Sequence, residues 1–367
     1  MTRAATRVAY HCIIVHAGGF VVEQGPRVVA SVGIVGASGY GGVELLRLLA
    51  GHPDLEVAVV AAHSQAGEPV SSLFPNLPGD RVFDDIDLDR LRELDLVFLS
   101  TPHGVSLELG AALHDAGVRT VDLSGAFRLS ADDFATWYGE RHPRPDLVPA
   151  VYGLPEFNRK QVADATLVAN PGCYVTTALL GLVPLAGLLA PGSVVVDGKS
   201  GTSGAGRAAK DALHSTHVSG NVAAYGAPGH RHTGEIEAHL AGFGTDLGPI
   251  SFTPHLMPIA RGLLTTSYAT LQPGASTAQV DAALHEAYAD EPFVHVLPAG
   301  TFPAVKSVVG SNGCQLSAFV DERTNRVTVV SVTDNLGKGA AGQALQNANL
   351  MLGLDETTAL TAIGMYP

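Results

Sequence analysis

A β-branched run from Val28 to Val35 ends in Gly36-Ala-Ser-Gly-Tyr-Gly-Gly42, and an apolar stripe at helical spacing follows from Val43 to Ala50. Gly51-His-Pro53 closes that helix, and a second apolar run spans Leu55 to Ala62. Strands covered on both faces read as near-continuous apolar runs, so the predicted order is strand, glycine turn, helix, parallel strand. Runs at 94–100 and 118–123 predict two further strands, with a helix over 105–116 between them. The stretch 127–158 is rich in Pro, Trp and Tyr and is expected to lead towards a second unit. Longer strands are then predicted at 194–197, 251–256, 263–271, 315–321 and 327–333. A helix is predicted over 278–288, and a last one over 340–352 that returns to the first unit.

The pattern predicts an α/β chain: a Rossmann-type doubly wound parallel sheet plus a second α+β domain with a mixed or antiparallel sheet. The expected boundaries are 28–169 for a cofactor-binding domain, completed by 340–367, and 170–339 for a catalytic and oligomerisation domain. A length of 367 residues suits two cores, and 46% hydrophobic against 16% charged residues suits deep burial. The net charge of -13, with no basic run, argues against a nucleic-acid partner. No apolar run is long enough to cross a membrane. Cys12, Cys173 and Cys314 form no Cys-x-x-Cys pair, which excludes a disulfide framework and fits a reducing, cytoplasmic setting. Residues 1–27 only faintly resemble a signal peptide and are expected to be an extension outside the core, non-native or from a misassigned start.

A glycine turn between a strand and a helix lets backbone approach a pyrophosphate and aims the helix start at it. Gly36, Gly39, Gly41 and Gly42 supply that turn, Tyr40 lies within it, and Ser38 adds a hydroxyl. The second strand ends Ala61-Ala-His-Ser64-Gln with no acidic residue to bind a ribose 2′-hydroxyl, while Glu56 sits at the wrong end. His63, Ser64 and Gln65 could instead donate to a 2′-phosphate, which favours NADP(H).

Asn170-Pro-Gly-Cys173 places a thiol at the start of an apolar helix, where the helix dipole favours thiolate and first-turn amides can stabilise an oxyanion. Cys314 begins a strand and reads as a buried, inert thiol. His230-Arg231-His232-Thr-Gly-Glu235 offers an imidazole for proton transfer, a cation for carboxylate or phosphate, and a Glu three residues on to orient His232. The cluster could equally belong to a plain surface loop; the His-x-His spacing also allows a metal, but that is the lesser reading, and with no third ligand nearby no metal is expected. Ser200-Gly-Thr-Ser203-Gly204-Ala-Gly206 is a second glycine-rich segment suited to close backbone approach.

Together these motifs resemble the N-acetyl-gamma-glutamyl-phosphate reductases of the semialdehyde dehydrogenase group. The likeness includes GASGYGGVELLRLL, Thr101-Pro-His-Gly104, Asp122-Leu-Ser-Gly-Ala-Phe-Arg128-Leu and Tyr152-Gly-Leu-Pro-Glu156. It continues through NPGCY, SGTSGAGR, HRHTGEIE and Asp334-Asn335-Leu-Gly-Lys-Gly339, and covers the chain from about Val32 onward. The resemblance implies that NADPH reduces an acyl phosphate to N-acetyl-glutamate 5-semialdehyde and inorganic phosphate through a thioester, in arginine biosynthesis. It implies Cys173 as nucleophile and His232 as acid–base, with Arg128, His230 and Arg231 at the substrate. Ser38 to Gly41, Ser203, Gly204 and Asn335 would line the cofactor site, and the His103 loop would close over it. A homodimer or homotetramer is implied as well. Related acyl phosphates, aspartyl or carrier-protein-linked, are the near alternatives, and a cysteine hydrolase or acyltransferase or a non-catalytic regulator the distant ones. The cysteine context favours the acetylated small molecule.

Overall fold

A computed structural model describes residues 8–9, 27–28, 30–77 and 79–366. Of the N-terminal extension, only Val8–Ala9 and Arg27–Val28 are described, as an antiparallel pair; Cys12 lies outside the described residues. The first sheet holds β1 (Ala30–Val35), β2 (Leu55–Ala61), β3 (Leu96–Leu99), β4 (Arg119–Asp122), β5 (Val151–Tyr152) and β6 (Leu167–Ala169). All pair in parallel, in the order β2-β1-β3-β4-β6-β5. The longer helices are α1 (Tyr40–Leu49), α2 (His103–Asp115), α3 (Ala131–Tyr138) and α4 (Pro155–Asp164). Every residue of β3 is buried, as its unbroken apolar run requires. The Pro-rich stretch does not leave this sheet: after α3 it supplies β5 and α4, and only β6 ends the first unit.

α5 (Cys173–Leu182) leads into the second unit. It comprises β7 (Val195–Gly201), β8 (Ala223–Ala224), α6 (His232–Phe243), β9 (Ser251–Met257), β10 (Leu263–Thr270), α7 (Thr277–Tyr288), β11 (Val294–Val296), β12 (Cys314–Asp321) and β13 (Arg326–Thr333). The sheet order is β8-β9-β7-β10-β13-β12-β11, with β9–β7 and β12–β11 parallel and the other pairs antiparallel, so the sheet is mixed. α7 starts where it does because Ser276 and Gln279 close a capping box. Val175, Leu179, Leu180 and Leu182 of α5 join the core of this unit, and burying each contributes roughly 1.5–3 kcal/mol. α8 (Gly342–Met351) follows a π-helical turn at Gly337–Ala341 and puts Ala344, Leu345, Ala348 and Met351 into the core of the first sheet. The chain therefore crosses between the units twice, at Asn170–Cys173 and at Asp334–Gly339, and both crossings border the site.

Candidate active site

The glycine turn is shaped by close approach. Gly36 has φ +84°, and a Cβ there would strike the Ser100 carbonyl; one on Gly41 would lie 2.7 Å from Ser100 Oγ. α1 has Gly39 as its N-cap, with no side-chain cap and no acid in its first turn, so its first amides are left for an anion. Opposite stands the Thr202–Ala205 turn: Asn335 Nδ2 donates to Ser203 Oγ at 2.9 Å, and Asn335 Oδ1 accepts from the Gly262 amide at 2.7 Å. Arg261 ties the two sides together, with its guanidinium 2.9 Å from Glu44 of α1 and 2.8 Å from Asp334. Gly39, Tyr40, Gly41, Ser203, Gly204 and Asn335 line one cavity of about 560 Å³ together with Cys173, His230, Arg231 and His232. These surroundings fit a dinucleotide.

Gly36 and Ser38 form the turn but do not line that cavity, and Ser64 is exposed on the His63–Gln65 turn outside it. The end of β2 is not free of acids, contrary to the reading of the local sequence. Folding brings Asp84 and Asp85 back to it: the Val60 amide donates to Asp84 at 2.9 Å, and His63 Nδ1 lies 2.9 Å from Asp85.

Cys173 is the first residue of α5, after Gly172 as an uncapped N-cap. The histidine cluster arrives from α6, and its approach explains the Pro-Gly before the cysteine: a Cβ on Gly172 would run into the His232 imidazole. Gly339 comes from the other side, where a Cβ would lie 2.9 Å from that of Cys173. The expectation that the helix start favours thiolate is overturned for the free protein. Burial pushes the thiol up to about 11, outweighing the downward pull of the Tyr174 amide, Arg128 and the Cys173 amide. Cys314 is wholly buried, and burial carries its thiol up to about 12, as expected of an inert thiol.

His232 Nδ1 is buried without a partner, and burial lowers this imidazole to about 3 despite the nearby Glu235 charge. His230 is lowered to about 4, by burial and then by Arg231. Its Nδ1 accepts the His232 amide hydrogen at 3.2 Å, so a neutral His230 carries its proton on Nε2. Arg231 is exposed beside them, with Cζ 4.8 Å over the Tyr138 ring.

Glu235 does not orient His232 through a hydrogen bond. Its Oε1 accepts from the Gly172 amide at 2.8 Å and the Tyr152 hydroxyl at 2.7 Å, and its Oε2 from Arg128 at 3.1 Å. Both oxygens are taken by stronger claimants, and the carboxylate fixes the N-cap of the cysteine helix instead. Burial alone would raise it, yet Arg128, His232, Gly172 and Tyr152 hold it at about 2. Arg128 borders the cavity but is 7% exposed, and also donates to the carbonyls of Asn170 and Leu123, both at 2.8 Å. Behind the site, Lys338 and Glu156 form a fully buried ion pair at 2.5 Å that joins two of the motifs recognised in the sequence. The anchoring of Glu235 and the places of Tyr138, Tyr152 and Arg261 were invisible locally, because each depends on a partner more than 70 positions away in sequence.

A dinucleotide-type glycine turn that shares a cavity with a half-buried cysteine and histidine, carried on a second mixed-sheet unit, defines the semialdehyde dehydrogenase class. Residues 31–165 match the family described as semialdehyde dehydrogenase, NAD binding domain, and residues 173–335 its dimerisation domain. The fold is that of the aspartate semialdehyde dehydrogenase II of Vibrio cholerae complexed with ASA, at a TM-score of 0.68 and 17% identity over 89% of this chain and 98% of that one. The Candida albicans aspartate semialdehyde dehydrogenase with NADP gives 0.67 at 17% identity, over 88% and 98%. The N-acetyl-gamma-glutamyl-phosphate reductase of Cellvibrio japonicus is 46% identical over 344 residues, covering 91% of this chain and 99% of that relative. That of Marinobacter nauticus is 47% identical over 343 residues, covering 92% and 99%. The chain belongs to the N-acetyl-gamma-glutamyl-phosphate reductase family. Among the described residues, no helix is long and apolar enough to cross a membrane.

Proposed function

We propose that the chain reduces N-acetyl-gamma-glutamyl phosphate to N-acetyl-glutamate 5-semialdehyde through a thioester on Cys173, serving arginine biosynthesis in the cytoplasm as a homo-oligomer. The observation that carries this is the meeting of the Cys173 helix start, the His232 imidazole and the glycine turn around one cavity. Residues 28–169 with 340–367 hold the cofactor in this reading, and 170–339 carry catalysis and self-association. Gly36, Ser38–Gly41, Ser203, Gly204 and Asn335 form the cofactor side, with Ser64 at its outer edge. NADPH supplies the hydride.

The sulfur of Cys173 forms its bond to the acyl carbon as the carbon–oxygen bond to phosphate breaks, and phosphate leaves with the electron pair and takes up a solvent proton. His232 accepts the thiol proton. Burial raises the thiol and lowers the imidazole in the free protein, and both directions disfavour a standing thiolate–imidazolium pair before substrate arrives. The first-turn amides of α5 face the oxygen that gains charge. After hydride addition the carbon–sulfur bond breaks, the pair returns to sulfur, and His232 gives its proton back to Cys173. His230 and Arg231 hold the anionic substrate, and Arg128 lies beneath it.

The test mixes the protein with NADP, phosphate and N-acetylglutamate semialdehyde and follows absorbance of the reduced cofactor. Phosphate-dependent NADPH formation, lost in Cys173→Ala with NADPH binding retained, is the expected result. Turnover near wild type in Cys173→Ala would sink the covalent route.

A further inference from the structure

Arg231 forms no ion pair among the described residues; its guanidinium lies on the Tyr138 ring instead. That ring is held from several sides. It stacks on Phe134 with centroids 4.4 Å apart and an interplanar angle of 8°, and meets His103 edge-on at 5.3 Å. The Tyr138 hydroxyl fills the space a Cβ on Gly125 would occupy, and the neighbouring Trp137 indole fills that of Gly234. Gly125 belongs to the turn after β4, and Gly234 to the first turn of α6, two residues after His232. The end of α3 is thus keyed by two absent side chains into the two segments that frame the cavity. Tyr138 lines that cavity beside Arg231 and Cys173. A guanidinium already resting over a fixed aromatic face gives up less rotamer freedom when it pairs with a carboxylate, and its planar fork suits that partner.

We infer that Tyr138 is a positioning residue that aims Arg231 at the carboxylate of the substrate, setting affinity for the anionic end and leaving the chemistry alone. This rests on the reading that Arg231 meets the substrate. A ring that served packing alone would affect folding and turnover without regard to Arg231.

The test compares Tyr138→Leu, Tyr138→Phe, Arg231→Met and the Tyr138→Leu/Arg231→Met double variant. It measures KM and kcat for N-acetylglutamate semialdehyde, the calorimetric Kd of the inert dicarboxylate N-acetylglutamate, and the Kd of NADPH by fluorescence. Tyr138→Leu should raise KM and the dicarboxylate Kd roughly tenfold, with kcat and NADPH affinity moving by less than about twofold. Tyr138→Phe, which keeps the face, should restore both, and in the Arg231→Met background Tyr138→Leu should add nothing. Equal effects of Leu and Phe, a fall in kcat at constant KM, or full additivity with Arg231→Met overturns the inference. Should Tyr138→Leu fail to fold, Arg231→Lys decides: it keeps the charge but lacks the planar fork, so a KM as high as that of Arg231→Met supports a guanidinium seated on the ring and a wild-type KM overturns it. Unaltered variants of a protein that turns over the semialdehyde overturn this inference alone. A wild-type chain that neither turns it over nor binds the dicarboxylate overturns the functional reading as well.

Discussion

Replacing Glu235 by Gln asks how much of the site one buried charge holds in place. The side chain is 2% exposed and is gripped by the Gly172 amide, the Tyr152 hydroxyl and Arg128. Burial would raise the carboxyl above its ordinary 4.5, but Arg128, His232, the amide and the hydroxyl hold it at about 2. A value depressed by folding contributes stability that is fully present above pH 4.5 and is lost as the pH falls from 4.5 towards 2. The gap corresponds to about 3 kcal/mol at neutral pH. Gln keeps the shape and one acceptor but leaves the Arg128 charge buried without its partner, and breaking such a pair costs roughly 3–5 kcal/mol. The expected outcome is a loss of about 3 kcal/mol at pH 7 and a flatter decline in stability below pH 4.5. Trp137 is the single tryptophan and packs against Gly234, next to Glu235, so its fluorescence during urea unfolding reads the right place. A Glu235→Gln variant that unfolds at the wild-type urea midpoint at pH 7, or declines in acid as steeply as the wild type, refutes the reasoning.

Three other outcomes are expected. The alkylation rate of Cys173 in the free protein, followed by peptide mass, should rise about tenfold per pH unit between 7 and 9, because a thiol raised to about 11 is still far from ionised there; a plateau below pH 8 contradicts the burial argument. Gly172→Ala should lower kcat by about 100-fold, since its methyl group displaces the His232 imidazole; a melting temperature near wild type alongside that loss would locate the damage in the site. Lys338→Met should cost roughly 3–5 kcal/mol by stranding the Glu156 charge, and Lys338→Met/Glu156→Gln should recover part of it; equal melting of the single and double variants counts against the buried pair.

What the sequence made legible was local. Val32, Ile34 and Val35 of β1, the glycine turn and the Leu45–Leu46–Leu49 stripe of α1 are consecutive, so their periods can be read directly. Cys173 stood out because Pro171 and Gly172 announce a helix start. β7 runs on to Gly201, four residues beyond its expected end: Gly198 looks like a break but is where the Tyr174 ring packs. β5, a two-residue strand in a Pro-rich stretch, carries no period at all. Along the chain Glu235 neighbours His232, whereas its partners Arg128 and Tyr152 lie 107 and 83 positions away. The acid-free end of β2 failed in the same manner, because Asp85 returns to His63 from 22 positions on. Distances along the chain say nothing of such meetings until the sheets are assembled.

In α5, every residue after Cys173 is buried, so the proposed nucleophile is bolted to a closely packed helix. The wall it faces is built differently: Arg207, Tyr225 and Arg231 are exposed, and residues 208–229 of the connection to α6 are almost all exposed too. On the proposed function, reaction and appetite are therefore housed separately. Redrawing the outer wall would change which acyl group is admitted without disturbing the helix that carries Cys173. A scaffold divided in this way can diverge in diet while its chemistry stays fixed.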